Sequence, residues 1–177
     1  MRLVCEECAS SDVRRVTREG FVVEECGLCG HLQGDVAVVE RIEEIREART
    51  LGIPIELFRL IETLDCIEGL AVERTLSVVT GQQNPPAVFF QLSGRHPLEI
   101  LDRLLRSLLH AGEHLHHRWI VEVTHQTRLQ FVLRPRLFQR PVDLLSSERQ
   151  RFLDDLRRIG DGLARDQQLP WWEMDSR

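Results

Sequence analysis

The sequence contains neither lysine nor tyrosine, and all 23 of its basic residues are arginine. Such a bias is typical of a GC-rich, bacterial-like genome, because no single site requires the absence of lysine. No apolar stretch is long enough to span a membrane, and the start Met1-Arg2-Leu3-Val4 does not have the pattern of a signal peptide. These absences predict a cytoplasmic protein whose thiols stay reduced.

The common catalytic motifs are also missing. The chain has no Gly-x-Gly-x-x-Gly segment, no nucleophile elbow and no spaced pair of carboxylates. We therefore expect a protein that is not an enzyme.

Length and charge limit the remaining classes. A chain of 177 residues with 42% hydrophobic residues can form one sizeable core beside a smaller unit. The net charge is −5, and acidic residues outnumber arginines in both 1–34 and 35–69. Because phosphate contacts dominate affinity for nucleic acid, this acidic first part argues against binding to a duplex.

Two Cys-x-x-Cys pairs dominate the first thirty residues. Cys5 and Cys8 form one pair, and Cys26 and Cys29 form the other. Between them lie two strand-like runs joined by a glycine turn, which predicts a hairpin that carries the second pair over the first. This spacing predicts a tetrahedral four-thiolate zinc site. Two disulfides or four unrelated thiols are the alternatives, and the neighbouring His31 is expected to be a bystander.

Residues 1–34 resemble the zinc-ribbon family. The segment Cys26-Gly27-Leu28-Cys29-Gly30 matches the family's knuckle, whereas Ala9 stands where the first knuckle usually has glycine. The resemblance implies one structural Zn²⁺ bound by Cys5, Cys8, Cys26 and Cys29, with no open coordination position for a substrate. Zinc ribbons serve in transcription, translation and protein docking, so the family alone does not define a function.

Beyond Gly34 the apolar residues follow a helical period. Residues 35–69 are expected to form a helical connector of two helices, the first capped by Asp35 and the second beginning at Pro54 and closed by Gly69. Their predicted apolar stripes consist of Val39, Ile42 and Ile45, then Leu57, Leu60, Ile61 and Leu64. Neither stripe can be buried by one helix alone, so both must pack on something else.

Residues 70–168 are predicted to form an α+β domain in the order β-β-α-β-β-α. Its strands are expected at 76–80, 87–92, 119–123 and 129–133, and its helices at 97–110 and from 147 onward. The wide leucine stripe of the first helix predicts deep burial; its members are Leu98, Leu101, Leu104, Leu105, Leu108 and Leu109. The expected fold class is α+β: an N-terminal zinc ribbon with four cysteine ligands, then an antiparallel sheet flanked by helices. In element order alone, this domain loosely resembles the secretion-chaperone and YbjN-like fold.

Several further residues are candidates for chemistry. His110, His114 and His117 have the spacing of one helical face and predict an alternative second metal site, although Gly112 lies within the stretch. The turn Ser93-Gly94-Arg95 precedes a helix, where backbone N–H groups can bind an anion. The only basic cluster is a candidate for contacts with nucleic acid, with a solvated edge as the alternative; it consists of Arg128, Arg134, Arg136 and Arg140.

Two other features point to packing or to partners. Cys66 lies among apolar residues and is expected to be a small core residue. The tail 169–177 carries Trp171 and Trp172, which either dock on their own domain or anchor a partner.

These observations favour a non-catalytic zinc-binding protein that acts as a protein-interaction adaptor or chaperone-like module. Its partner is expected to be another protein or a second copy of the chain, and we expect no binding to a membrane. A transcription-associated or RNA-binding zinc-ribbon protein is the first alternative. A metal-dependent enzyme that uses His110, His114 and His117 is the second.

Overall fold

A computed structural model describes residues 3–125, 129–136 and 146–168. The protein is α+β, as predicted: the described residues form five helices and two antiparallel sheets. The chain divides into two compact units, Met1–Thr50 and Leu51–Arg177. The segment predicted as a two-helix connector therefore contributes one helix to each unit.

The first unit is a three-stranded sheet followed by a helix. The strands are β1 (Val13–Arg18), β2 (Phe21–Cys26) and β3 (Leu32–Gln33), in the order β1-β2-β3, and the helix is α1 (Val36–Leu51). The predicted hairpin is present, because β1 and β2 pair antiparallel from Val13 opposite Cys26 to Arg18 opposite Phe21. Its turn consists of Glu19 and Gly20, which both have positive φ, as a type I′ hairpin turn requires.

α1 covers one face of this small sheet. Ile42 is fully buried and packs in a cluster with Val23 and Leu32. Asp35 caps the helix as predicted, since its Oδ1 accepts a hydrogen bond of 2.9 Å from the N–H of Ala37. The unit therefore buries only a small apolar cluster, so it needs a further source of stability.

The second unit is a four-stranded antiparallel sheet with four helices. Its elements are α2 (Ile55–Asp65), β4 (Leu70–Val72), α3 (Arg74–Gln83), β5 (Val88–Leu92), α4 (Pro97–Gly112), β6 (Trp119–His125), β7 (Leu129–Pro135) and α5 (Ser146–Gln168). The strand order is β4-β5-β7-β6. The predicted hairpin of β6 and β7 is confirmed, with Val121 opposite Leu133 and Val123 opposite Phe131.

The predicted stripes of α2 and α5 form most of the helical part of the core. α2 contributes Leu57, Leu60, Ile61 and Leu64, and α5 contributes Phe152, Leu156, Ile159 and Leu163, all of them buried. α2 ends at Asp65 rather than at Gly69, because the chain turns there into β4. The two helices pack on each other, and α5 also packs on α4.

The strand predicted at 76–80 is wrong, since these residues belong to α3. β-Branched residues favour strands where their side chains can pack on a sheet. Here the backbone of β5 forms other hydrogen bonds. Phe89 of β5 donates its N–H to Ser77 Oγ at 3.0 Å, and its carbonyl accepts the N–H of Glu73 at 2.7 Å. The start of α3 thus hydrogen bonds to β5 through Glu73 and Ser77.

The deep burial predicted for the leucine stripe of α4 is also wrong in part. Leu104 and Leu108 are buried, but Leu98, Leu105 and Leu109 are exposed. The stripe is too wide for one contact surface, because a helix packed on one side leaves part of such an arc in solvent. Among the described residues, no helix combines the length and apolar character needed to cross a membrane.

Candidate metal centre

The two Cys-x-x-Cys pairs form matching knuckles. The N–H of Ala9 donates to the carbonyl of Cys5 at 2.9 Å, and the N–H of Gly30 donates to the carbonyl of Cys26 at the same distance. Ala9 has φ of 58° and Gly30 has φ of 75°. Alanine therefore adopts the left-handed conformation in which the second knuckle has glycine, and the first knuckle keeps the same hydrogen-bonded turn.

These knuckles bring the four sulfurs into one cluster. Cys5 Sγ lies 3.6 Å from Cys29 Sγ, and Cys8 Sγ lies 3.6 Å from Cys26 Sγ. All four sulfurs lie within 4.8 Å of one another. These separations exclude disulfides, whose S–S distance is about 2.05 Å, and all four cysteines are free thiols. The predicted ligands are therefore assembled into a site that could hold one metal ion.

The sulfur separations fit a tetrahedral ion. Metal–sulfur bonds of about 2.3 Å in tetrahedral geometry place neighbouring sulfurs about 3.8 Å apart. Cys5 and Cys26 are buried and Cys8 and Cys29 are exposed. The site therefore lies at the surface, although all four sulfurs face the same central point.

Backbone N–H groups make the thiols unequal. The N–H groups of Cys29 and Leu28 donate to Cys26 Sγ and lower the pKa of Cys26 to about 6, against the opposing effect of burial. At Cys8 the N–H of Ser10 also favours the thiolate, but the neighbouring sulfurs and burial outweigh it and raise the pKa of Cys8 to about 12. Neighbouring thiolates repel one another, so some thiols of the cluster keep their protons, and a cation that replaces those protons removes this repulsion.

Gln33 positions the first knuckle from behind. This residue is buried on β3, and its Oε1 accepts the N–H of Glu6 at 3.2 Å while its Nε2 donates to the carbonyl of Val4 at 3.3 Å. The side chain thus connects the short third strand to both sides of Cys5. The sequence does not reveal this residue, since a glutamine after a leucine carries no motif.

The second knuckle is supported by Asp12. The N–H of Gly27 donates to the carbonyl of Asp12 at 2.7 Å, and a Cβ at position 27 would clash with the Asp12 carboxyl group. A side chain at position 27 would therefore require the exposed Asp12 carboxyl group to move aside. His31 contributes through its backbone, since its carbonyl accepts the N–H of Cys26 at 2.9 Å and its N–H donates to Cys29 Sγ.

The three candidate histidines do not share a helical face. α4 ends at Gly112, so His114 and His117 lie in the connection to β6. Within the described ranges, the four cysteines are the only group of three or more potential ligand residues that lie close enough to hold a metal. A second metal site at His110, His114 and His117 therefore stays a prediction, and the shared helical face on which it was based is absent from the described residues.

His117 is instead part of a buried network on α5. Its Nδ1 lies 2.8 Å from Asp155 Oδ2, its Nε2 lies 3.1 Å from Glu148 Oε2, and its ring stacks on Phe152. Asp155 is fully buried and also accepts the N–H groups of His116 and His117 and the indole N–H of Trp119. A charged residue within the apolar stripe of α5 was the signal in the sequence that could have predicted this network.

The candidate anion turn is already hydrogen bonded. The N–H of Ser93 donates to the carbonyl of Gly69 at 2.7 Å, and Gly94 has φ of 95°. Gly69 is close-packed here, since an added Cβ would approach the carbonyl oxygen of Ser93 to 2.8 Å. Arg95 is exposed in this turn. These contacts are those of a turn that joins β5 to α4.

The basic cluster lies only partly within the described residues. Arg134 Nε donates to Glu122 Oε2 at 2.7 Å across β6 and β7, and the N–H of Arg136 donates to the carbonyl of Arg118. Arg128, Arg140, Trp171 and Trp172 lie outside the described residues. Cys66 is exposed rather than part of the core.

No family model matches the chain, and no curated protein or solved structure is significantly similar to it. The four-cysteine cluster is therefore the principal observation from which a function can be argued. Its geometry is compatible with a zinc-ribbon-like site.

Proposed function

We propose that the four cysteines bind one Zn²⁺ and that this ion is structural. The main support for this proposal is that the four cysteine sulfurs lie within 4.8 Å of one another. Four thiolates fill the coordination shell of tetrahedral zinc, so no position is left for water or substrate. The small core around Ile42 supplies little stability of its own, and a bound ion would provide the rest.

We further propose that the protein acts in protein binding, as an adaptor or chaperone-like module without catalytic activity. The exposed leucines of α4 support this role, because apolar side chains in a row on a surface helix favour contact with another apolar surface. The acidic character of residues 1–69 is a second support, since it disfavours a polyanionic partner.

The metal part of the proposal is tested by elemental analysis of purified protein. The full chain is expected to carry one zinc, and Cys29→Ser is expected to lose it and to destabilise the first unit. Cys66→Ser is the matched control, because Cys66 is an exposed thiol outside the cluster and its loss should leave the zinc content unchanged. Full zinc occupancy in Cys29→Ser would contradict the proposal.

The nucleic-acid alternative receives less support from the described residues. Arg134 is neutralised by Glu122, and on β1 Arg14 pairs with Asp12 and Arg18 with Glu25. Fluorescence anisotropy with duplex and single-stranded probes at about 50 mM salt tests it, because phosphate-driven binding is strongest at low salt. Saturable binding to either probe would favour this alternative.

The enzyme alternative depends on His117 as a metal ligand. Both ring nitrogens of His117 lie within hydrogen-bonding distance of carboxylates, so neither ring nitrogen faces an open site. A second metal equivalent in the full chain that is lost in His117→Ala would favour the enzyme. A single equivalent that is unchanged in this variant would favour the structural ion alone.

A further inference from the structure

α4 has two sides of opposite character. One side carries Leu104, Ser107 and Leu108, all buried, and packs on β5, β6 and α5. Ser107 Oγ and Arg103 Nη2 both donate to Asp166 of α5, to its carboxylate and its carbonyl respectively. This side fixes the orientation of the helix, so the residues on the other side are held in solvent.

The solvent side carries three leucines in a row. Leu98, Leu105 and Leu109 are 77%, 39% and 75% exposed. Together with Asp102 they occupy positions separated by four, three and four residues, which lie in line along one face of a helix. This spacing is the one by which two helices pack side by side.

The charges in and beside this row are ordered along the helix. Glu99 and Asp102 lie in the first half of α4 and Arg106 lies in the second half, and all three are exposed. Glu99 Oε1 also lies 3.1 Å from Nδ1 of His96, just before the helix. Asp102 and Arg106 already pair within the helix, Oδ2 to Nε, at 2.9 Å. An antiparallel copy of the same helix would place the acidic half of one chain opposite the basic half of the other. A parallel copy would place like charges together.

We infer that the solvent side of α4 binds a second copy of this chain, with the two α4 helices antiparallel about a twofold axis. This side is self-complementary in both respects that a twofold interface requires. Its leucines supply apolar area that both copies can bury equally. In an antiparallel pair the acidic half of each helix faces the basic half of the other. The inference deepens the proposed protein-binding function by naming the partner, and it depends on that function.

The mass of the zinc-loaded full chain in solution tests the inference. Light scattering should give twice the monomer mass of 20.6 kDa at high concentration and a lower average on dilution, by mass action. The double variant Leu98→Arg with Leu109→Arg should weaken the dimer at least about 10-fold. These side chains are about three-quarters exposed, so the fold should be unaffected, and circular dichroism checks this.

A matched control lies on α3 of the same unit. Leu76 and Val79 are 39% and 49% exposed, and Leu76→Arg with Val79→Arg adds the same two charges elsewhere. This variant should dimerise like the natural chain. A full chain that is monomeric at all concentrations, or a dimer that is weakened equally by both double variants, would overturn the inference.

The charge order tests the antiparallel arrangement separately. Asp102→Arg alone makes positions 102 and 106 both cationic. It should weaken the dimer several-fold, because like charges then face each other across the interface. Combining it with Arg106→Asp restores one charge of each sign and should recover the affinity of the natural chain. If the combined variant is no stronger than Asp102→Arg alone, the antiparallel pairing is wrong.

Failure of this inference is distinguishable from failure of the proposed function. A monomer that carries one zinc and binds a different protein through α4 contradicts only the second-copy partner. A chain without zinc contradicts the metal part of the proposed function, whatever its mass in solution.

Discussion

The imidazole Nδ1 of His117 lies 2.8 Å from the carboxylate Oδ2 of the fully buried Asp155. The same carboxylate accepts two backbone N–H groups and the indole N–H of Trp119. The Asp155 side chain of α5 thus accepts hydrogen bonds from four donors in residues 116–119, where β6 begins. This network explains what the histidine-rich segment does in the fold without any metal.

Asp155→Asn should destabilise the second unit. The amide cannot accept at its nitrogen, so buried donors lose their partners, at a cost of about 3 kcal/mol in the free energy of unfolding. Urea denaturation measures this change. Asp154→Asn is the matched control, because this neighbour is partly exposed and only loosely paired with His116 and Arg157. Equal stability of the two variants would show that the buried network contributes nothing.

Glu148 should make stability depend on acidity. The hydrogen bond from His117 lowers the pKa of Glu148; burial opposes this shift, and the charge of Arg151 adds to it. A carboxyl whose pKa is depressed on folding contributes stability above its unfolded pKa of about 4.3, and this contribution is lost as the pH falls through the lower folded value.

Glu148→Gln should therefore lower the melting temperature at neutral pH and have less effect at strongly acidic pH. Thermal unfolding across a pH series measures this difference. The exposed Glu113 lies outside the network, so Glu113→Gln should follow the natural chain at every pH. A constant difference between Glu148→Gln and the natural chain would contradict the assignment.

Gln33→Ala should weaken the metal site without removing a ligand. Losing the contacts to Glu6 and Val4 loosens the first knuckle, and supporting residues of this kind typically change metal affinity by about 10-fold or more. Competition with a chromogenic chelator measures the affinity. Gln33→Glu keeps an acceptor for the Glu6 N–H but places a buried carboxylate against the Val4 carbonyl and the Glu24 carboxylate, so it should also lower the metal affinity.

Ala9→Gly should stabilise the metal-loaded first unit slightly. A left-handed conformation costs an L-residue about 1–2 kcal/mol, and the greater chain entropy of glycine offsets about 0.5–1 kcal/mol of that gain. Ala164→Gly provides the contrast, since Ala164 lies inside α5 and its replacement should cost about 1 kcal/mol. Thermal unfolding of both variants should therefore give shifts of opposite sign.

The parts of the fold that follow a short period could be predicted from the sequence. The cysteine spacing predicted the cluster, and alternating residues such as Val121 and Val123 predicted the hairpin of β6 and β7. The stripe from Phe152 to Leu163 predicted α5. In each case the local pattern and the buried surface agree, so nothing outside the segment had to be known.

Other parts depend on contacts between distant residues. Residues 76–80 have strand-like composition but form a helix, and Ser77 on this helix accepts the N–H of Phe89 of β5. The exposure of Leu98 and Leu109 depends on which side of α4 the sheet and α5 occupy. Gln33 and Asp155 act through partners more than twenty residues away in the chain, and no local motif reports such contacts.

X-ray absorption spectroscopy at the zinc edge of the purified full chain tests the central claim most directly. The account predicts one zinc per chain with four sulfur neighbours at about 2.3 Å and no oxygen or nitrogen neighbour. A mixed sulfur and nitrogen or oxygen shell, or a protein without bound zinc, would contradict a closed structural ion.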